Sequence, residues 1–398
     1  MSQSKTKIIH FIGSLNPGGV QTYILNIANF DRIHNIEREI WTLYRKGGLL
    51  YNDFLNKNIK VSSCQIIPSD KNWRPYFLWK NLRYLAGTFY FFRLFRKLQM
   101  AKPDLIILDE PARILTHFIV SRLLSIPIIW NIHAEKSIVK YKILFKWVYK
   151  LFLQNKLTVI SDSKYILSKN LAYMRKHLSP SFEDISIVHA TVDLSNFLSI
   201  NKRLKSNHRK DNDIIMGSVG RLNWAKGYDL LIKAISNIKD DYPNLRLKIV
   251  GDGPYKNMLE KMIEKYCLRD NIFILGELHY TEISKFLYSL DLYIQPSISE
   301  GSPITLKEAM ASSLPILAST AGGIPEIIEH NQTGILFEKE NEIELEKELR
   351  KFITMDKSIR KKMGLKAQKS AADRFDIKKT TYVLKDIYKS VIKNSYSK

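Results

Sequence analysis

Cysteine is scarce in this chain: Cys64 and Cys267 are the two thiols in 398 residues. They lie far apart and form neither a CxxC nor a zinc-type spacing. A disulfide scaffold is therefore excluded, and a reducing compartment fits. Acidic side chains are also in short supply, 39 against 62 Lys and Arg, for a formal charge of +23. The imbalance is uneven, since residues 1–200 carry a net +15 and the remainder +8. Such an excess favours an anionic partner: nucleic acid, a phosphorylated ligand or an anionic membrane surface. Long apolar runs are missing as well. The longest uncharged stretch, Ile8 to Phe30, is broken by Asn16-Pro17-Gly18-Gly19 and does not read as a membrane span. Met1 to Lys7 is polar and leads into a short strand-like run rather than a signal-peptide core. The expectation is a cytoplasmic protein, peripheral on the inner face of the cell membrane.

What is present reads as globular. Hydrophobic residues make up 45% and charged residues 25%, which rules out a mainly disordered or fibrous chain. The length suits two domains of roughly 200 residues, each large enough to bury its own core. Short β-branched runs alternate with helix-length segments from end to end. Strands are expected near 7–12, 37–43, 59–67, 104–108, 126–131, 157–160 and 185–188. A second set is expected near 214–219, 245–250, 271–275, 291–295, 314–318 and 334–337. This alternation predicts an α/β fold with two doubly wound, Rossmann-like parallel sheets. Continuously apolar runs such as Leu105-Ile106-Ile107-Leu108 fit strands covered on both faces. The clearest boundary is NKRLKSNHRKDND at 201–213. It divides an N-terminal domain, 1–200, from a C-terminal one, 214–375, and the last helix, 376–398, is expected to pack back on the N-terminal domain. Two facing domains would leave a cleft between them. Ligands of open α/β sheets bind beyond the carboxyl ends of the strands, which directs attention to the loops there.

Three such loops carry chemistry. Gly13-Ser14-Leu15-Asn16-Pro17-Gly18-Gly19 enters a helix, and paired glycines there let a phosphate approach free backbone N–H groups. Taken alone, it reads equally as a tight turn. Gly220-Arg221-Leu222-Asn223-Trp224-Ala225-Lys226-Gly227 places two cations five residues apart, where both can meet one diphosphate. Glu300-Gly301-Ser302-Pro303-Ile304-Thr305-Leu306-Lys307-Glu308 puts Pro303 in a first helical turn, with Ser302 or a neighbour as the expected cap. Glu300 would then lie in the loop and Glu308 inside the helix, two carboxylates able to accept hydrogen bonds from sugar and ribose hydroxyls. Each loop alone is also compatible with ordinary surface.

Together the motifs resemble a family. Gly220-Arg221 with Lys226-Gly227, Val250-Gly251-Asp252-Gly253-Pro254, Ile274-Leu275-Gly276, Glu300-x7-Glu308 and Ala321-Gly322-Gly323-Ile324-Pro325-Glu326 occur in one order. The set is similar to the retaining GT-B glycosyltransferases of family 4, the glycogen-synthase-like group. It covers about 210–340 densely and reaches Gly18, Gly19 and His133 in the first half. The resemblance implies that Arg221 and Lys226 bind the donor diphosphate, Glu308 the ribose and Glu300 the transferred sugar. It places Gly301, Ser302, Pro303, Ile304 and Thr305 at the distal phosphate and sugar, Gly276 near the base, and Gly18 and Gly19 over the phosphates. His133, after a strand, corresponds to the acceptor-domain histidine beside the reacting sugar. Val188-His189-Ala190-Thr191-Val192-Asp193 departs from the usual Asn-Gly-Val-Asp turn, and Ser302 stands where Phe or Leu is frequent.

The implied reaction moves a sugar from a UDP-, GDP- or ADP-sugar to a lipid-linked or surface-polysaccharide acceptor. No cofactor and no metal are expected. The one Asp-x-Asp, Asp211-Asn212-Asp213, lies in the polar linker, and Arg221 and Lys226 can neutralise the leaving diphosphate. A nucleotide-sugar 2-epimerase of the same fold is the alternative in another class, and a catalytically silent membrane partner a third. A last signal is the basic–aromatic stretch Lys71–Lys102, with Arg83, Arg93, Arg96 and Lys97 among seven Trp and Phe, echoed at 136–147. It reads either as a membrane-facing surface or as half-buried helices with snorkelling cations. Nucleic-acid binding fits the charge but has no motif behind it.

Overall fold

The computed structural model describes residues 5–16, 18–43, 48, 50–64, 79–109, 114–133, 157–178, 185–198 and 213–396. Two compact units are present, Met1–His189 together with Lys378–Lys398, and Ala190–Ile377. Of the polar segment 201–213, only Asp213 is among the described residues.

The first unit is built on β1 (Thr6–Ile12), β2 (Ile36–Thr42), β3 (Lys60–Ser63), β4 (Leu105–Leu108), β5 (Ile128–Ile132), β6 (Leu157–Ser161) and β7 (Ile185–Ile187). All pair in parallel in the order β3-β2-β1-β4-β5-β6-β7. Helices α1 (Gly19–Ala28), α2 (Tyr51–Asn56), α3 (Trp79–Ala101), α4 (Ile114–Leu123) and α5 (Lys164–Leu178) connect them. The second unit opens with the short α6 (Ser195–Leu198). Its sheet holds β8 (Ile214–Val219), β9 (Leu245–Val250), β10 (Ile272–Gly276), β11 (Leu292–Gln295), β12 (Ile316–Ser319) and β13 (Ile335–Phe337). These too are parallel, in the order β10-β9-β8-β11-β12-β13. Its helices are α7 (Tyr228–Ile238), α8 (Lys256–Lys265), α9 (Tyr280–Tyr288), α10 (Ile304–Ala311), α11 (Glu342–Thr354) and α12 (Lys357–Arg374). The last helix, α13 (Ile377–Tyr396), belongs to the first unit from Lys378 onward.

Each expected strand is found within a few residues of its predicted place, because an apolar run covered on both faces has little freedom in where it pairs. Ile106, Leu108, Ile128 and Trp130 sit in the first core, and Met216, Leu247, Ile249 and Ile294 in the second. Burying each such side chain contributes about 1.5–3 kcal/mol. The strand order of each sheet reverses once, between β1 and β4 in the first and between β8 and β11 in the second. The loops following those strands flank the crevice where open sheets take ligands.

Candidate active site

In the second unit the loops after β8 and β11 flank that reversal. Gly220 continues β8 by donating its N–H to the Val250 carbonyl at 2.9 Å. A short 3₁₀ turn, Trp224–Lys226, then ends at Gly227 in the left-handed region, φ 64°. A Cβ on Gly227 would stand 2.1 Å from the Pro296 carbonyl oxygen. Only glycine lets the two loops touch there. Gly322, φ 58°, does the same from the loop after β12, where a Cβ would meet the Glu300 carbonyl oxygen at 1.8 Å. Lys226 and Glu300 are thereby brought together, and the Lys226 ammonium donates to Glu300 Oε1. The same carboxylate oxygen accepts from Gln295 Nε2 and Ser297 Oγ, each at 3.0 Å. Gln295 is itself held by the Tyr293 hydroxyl at 2.8 Å.

Arg221 is exposed, and its guanidinium has no partner among the described residues. Glu308, five residues into α10, is 9% exposed, and its carboxylate makes no hydrogen bond or ion pair among them. Burial pushes its carboxyl up to about 7. Gly276 ends β10 at φ 78° with open space beside its Cα. The expected side-chain cap of α10 is absent: the N-cap is Pro303, which has no side-chain donor or acceptor. Ser302 instead accepts from the buried Lys307, whose ammonium also donates to the Ala190 carbonyl, both at 2.6 Å. Gly301 and Ser302 precede the helix, while Ile304 and Thr305 open it with free backbone N–H groups.

In the first unit Gly18 is the N-cap of α1 and Gly19 its first residue, both exposed, with no acidic residue in the first turn. His133, just beyond β5, lies between two carboxylates. Its Nε2 is 2.9 Å from Asp109 Oδ1 and its Nδ1 3.0 Å from Asp162 Oδ2. Burial alone would lower its pKa, but Asp162 and Asp109 outweigh this and push it up to about 10. Burial would raise the Asp109 carboxyl, yet His10 and then His133 hold it well below the usual carboxylate range. The network continues inward through His10 to Arg38 and the Arg38–Asp31 ion pair, bidentate at 2.8 and 3.0 Å. Sequence reasoning singled out His133 and missed Asp109 and Asp162. Their signal was a polar residue directly after the apolar strands β4 and β6.

Among the residues grouped as membrane-facing, Arg93 and Arg96 are exposed on α3 beside Phe89 and Phe92, 69% and 62% exposed. Lys97 turns inward, donating to the Ser63 carbonyl at 2.8 Å over the Trp41 ring. Arg83 lies on α3, and nothing is described of its side chain; 71–78 and 136–147 lie outside the described residues, as do Asp211 and Asn212. Among the described residues no helix is long and apolar enough to cross a membrane, and no three His, Cys, Asp or Glu are grouped to hold a metal.

Residues 199–370 match the family model described as glycosyl transferases group 1. Over 315 residues the chain is 26% identical to the sulfoquinovosyl transferase SQD2 of Arabidopsis thaliana, covering 75% of this chain and 59% of that one. It is 33% identical over 125 residues to the phosphatidylinositol N-acetylglucosaminyltransferase gpi3 subunit of Schizosaccharomyces pombe, covering 31% and 27%. The matches thus span less than two thirds of the length of these curated relatives. The crystal structure of Anabaena HepE in complex with UDP and glucose superposes with a TM-score of 0.78 over 97% of this chain and all of that one, at 20% identity. The fold is that of the GT-B glycosyltransferases.

Proposed function

Because residues 199–370 match the family model of the glycosyl transferases group 1, we propose that this chain transfers a sugar, with retention of configuration, from a nucleoside diphosphate sugar to a lipid-linked or surface-polysaccharide acceptor. The observation that carries the reading is the arrangement at the β8/β11 reversal. An ammonium and a carboxylate, Lys226 and Glu300, are locked together there, while Arg221 on the same loop as Lys226 and the buried carboxylate of Glu308 on α10 have no partner among the described residues. Each group matches one part of such a donor. Arg221, Lys226 and the N-terminus of α10 take the diphosphate, Glu308 accepts from the ribose hydroxyls, and Glu300 accepts from the sugar.

The bond from the anomeric carbon to the diphosphate oxygen breaks as negative charge builds on the leaving group, which Arg221 and Lys226 neutralise. The acceptor oxygen bonds to the same face, and its proton passes to the departing phosphate. These two cations make a metal unnecessary in this reading. HepE was crystallised with UDP and glucose, and the Schizosaccharomyces pombe relative is named for phosphatidylinositol; both support a nucleotide-sugar donor and an acceptor at a lipid surface. The outward face of α3 supports peripheral membrane attachment, since Phe89, Phe92, Arg93, Arg96 and Met100 lie within about 100° of its circumference.

The reading is tested by incubating the chain with UDP-, GDP- and ADP-sugars in EDTA and measuring released nucleoside diphosphate and glycosylated acceptor. Release that depends on acceptor is expected. A donor isomerised without acceptor would establish the 2-epimerase instead, and loss of activity in EDTA would return a metal to the mechanism.

A further inference from the structure

The first unit carries a buried chain of polar groups, Asp162–His133–Asp109–His10–Arg38–Asp31, contributed by residues on or just after β6, β5, β4, β1 and β2 and by the loop before β2. Its donors and acceptors can be assigned one by one. A guanidinium only donates, and Arg38 NH1 lies 3.2 Å from His10 Nδ1. That nitrogen must therefore accept, so the single ring proton of His10 sits on Nε2, which meets Asp109 Oδ2. Asp109 then accepts on Oδ2 from His10 and on Oδ1 from Asn131 Nδ2, at 2.8 Å, and from His133. With His10 and Asn131 already donating to it, Asp109 is ionised. His133 faces Asp109 with one nitrogen and Asp162 with the other. An ionised carboxylate accepts and does not donate, so Nε2 of His133 carries a proton toward Asp109, and with Asp162 ionised as well Nδ1 carries a second one toward Asp162.

We propose that Asp109 and Asp162 are positioning residues that hold His133 as an imidazolium with both N–H groups engaged, and that His10, turned by the Arg38–Asp31 pair, fixes Asp109 in that role. His133 therefore works as a fixed charge in an oriented ring. It neither accepts a proton from the acceptor hydroxyl nor has an N–H left to donate to the sugar. Around it, three charges of the cluster, His133, Asp109 and Asp162, sum to one net negative, which favours positive character developing on a sugar ring next to it. Among the described residues the other titratable groups facing the cluster are His189, whose Nδ1 lies 2.9 Å from the Asp162 carbonyl, Tyr23 of α1, which burial keeps neutral, Tyr388 of α13, which burial also raises and which hydrogen-bonds Arg38, and His34 beside Asp31, which burial lowers. The role of His133 in transfer rests on the function proposed above; its protonation state does not.

Nitrogen-15 NMR of the intact chain, labelled at its nine histidines, separates the two. His133→Gln identifies the His133 signals. Both His133 nitrogens should read as protonated at pH 8, and His10 should carry a proton on Nε2, facing Asp109. A neutral His133 at pH 8, whose proton has moved to Asp162 or to solvent, overturns the proposal. Asp162→Asn should lower the His133 midpoint by roughly 1–3 pH units, the size expected on removing one adjacent opposite charge. It should also give the transfer rate a pH dependence near that new midpoint. A purely structural loss would reduce the rate equally at every pH and leave the midpoint in place, which would contradict the assignment. Wild-type transfer by His133→Gln would instead remove His133 from the reaction and leave the NMR result standing.

Discussion

The polar groups of the two units are in opposite conditions. In the first, each charge of the His133 network already faces an opposite charge inside the protein. In the second, Lys226 and Glu300 are paired, but Arg221 has no partner and Glu308 is buried without one among the described residues. A buried carboxyl without an opposite charge or a hydrogen bond costs free energy; the carboxylates of the first unit have opposite charges, although Asp162 Oδ1 itself is buried without a hydrogen bond among the described residues. The difference is the one expected between charges paired within the folded chain and a site that the proposed donor would complete.

Removing the cations of the second unit gives the largest expected effect. Arg221→Ala and Lys226→Ala should each lower kcat by about 10²–10³, or about 2.7–4 kcal/mol, the loss typical of one preorganised electrostatic donor. Lys226→Ala also strips Glu300 of its cation. Unchanged kcat in steady-state assays would mean that these charges are decoration.

The completed network should show itself as pH-dependent stability. His133 is raised from 6.5 to about 10 in the folded chain, so the folded state binds this proton more tightly than the unfolded chain does. Its contribution is full below pH 6.5 and is lost as pH rises toward 10. At 1.36 kcal/mol per unit the upper bound is near 5 kcal/mol, and a realistic loss is on the order of 2 kcal/mol. Thermal melts of wild type between pH 6 and 10 should fall more steeply than those of His133→Gln. Parallel curves would show that the ring is not a buried cation.

The unfinished site should respond in the other direction. Hydrogen bonds from ribose hydroxyls favour ionised Glu308, so nucleotide binding lowers its pKa from about 7 and releases a proton. Affinity should rise by about tenfold between pH 6 and 8, with proton release measured by calorimetry in buffers of differing ionisation heat. Glu308→Gln should abolish that release, and its persistence would transfer the titration to another group. The smallest effect belongs to α3. Arg93→Ala and Arg96→Ala should each weaken sedimentation with anionic vesicles by about fivefold, from about 1 kcal/mol per cation at such a surface, and leave nucleotide binding intact. Sedimentation like wild type would remove the membrane role of this face.

Much of this was legible in the sequence, unevenly between the units. Strands such as Leu105–Leu108 declare themselves because four consecutive apolar residues suit a strand buried on both sides. Lys226, Glu300 and Glu308 stood out through the ordered motifs that carry them, and Gly227 and Gly322 at positive φ bring the loops of the first two together. The partners of His133 were not, because Asp109 and Asp162 lie 24 and 29 residues away. They meet it only through the order β4-β5-β6, which is a property of the sheet and not of any local spacing. Lys97 shows the limit on the surface: it shares its run of sequence with Arg93 and Arg96, but one helical step carries it inward to Ser63 and Trp41. Lys307 was read as part of a loop motif, while its buried ammonium ties α10 to Ala190 and Ser302.

Calorimetric titration of the intact chain with UDP, GDP and ADP, repeated on Arg221→Ala, tests most directly that the second unit is a nucleoside diphosphate site. One of the three nucleotides should bind with one-to-one stoichiometry in EDTA, and the variant should bind it at least tenfold more weakly, the loss of one charge-assisted contact. If none of the three binds, or if Arg221→Ala binds as wild type does, the assignment of this site is contradicted.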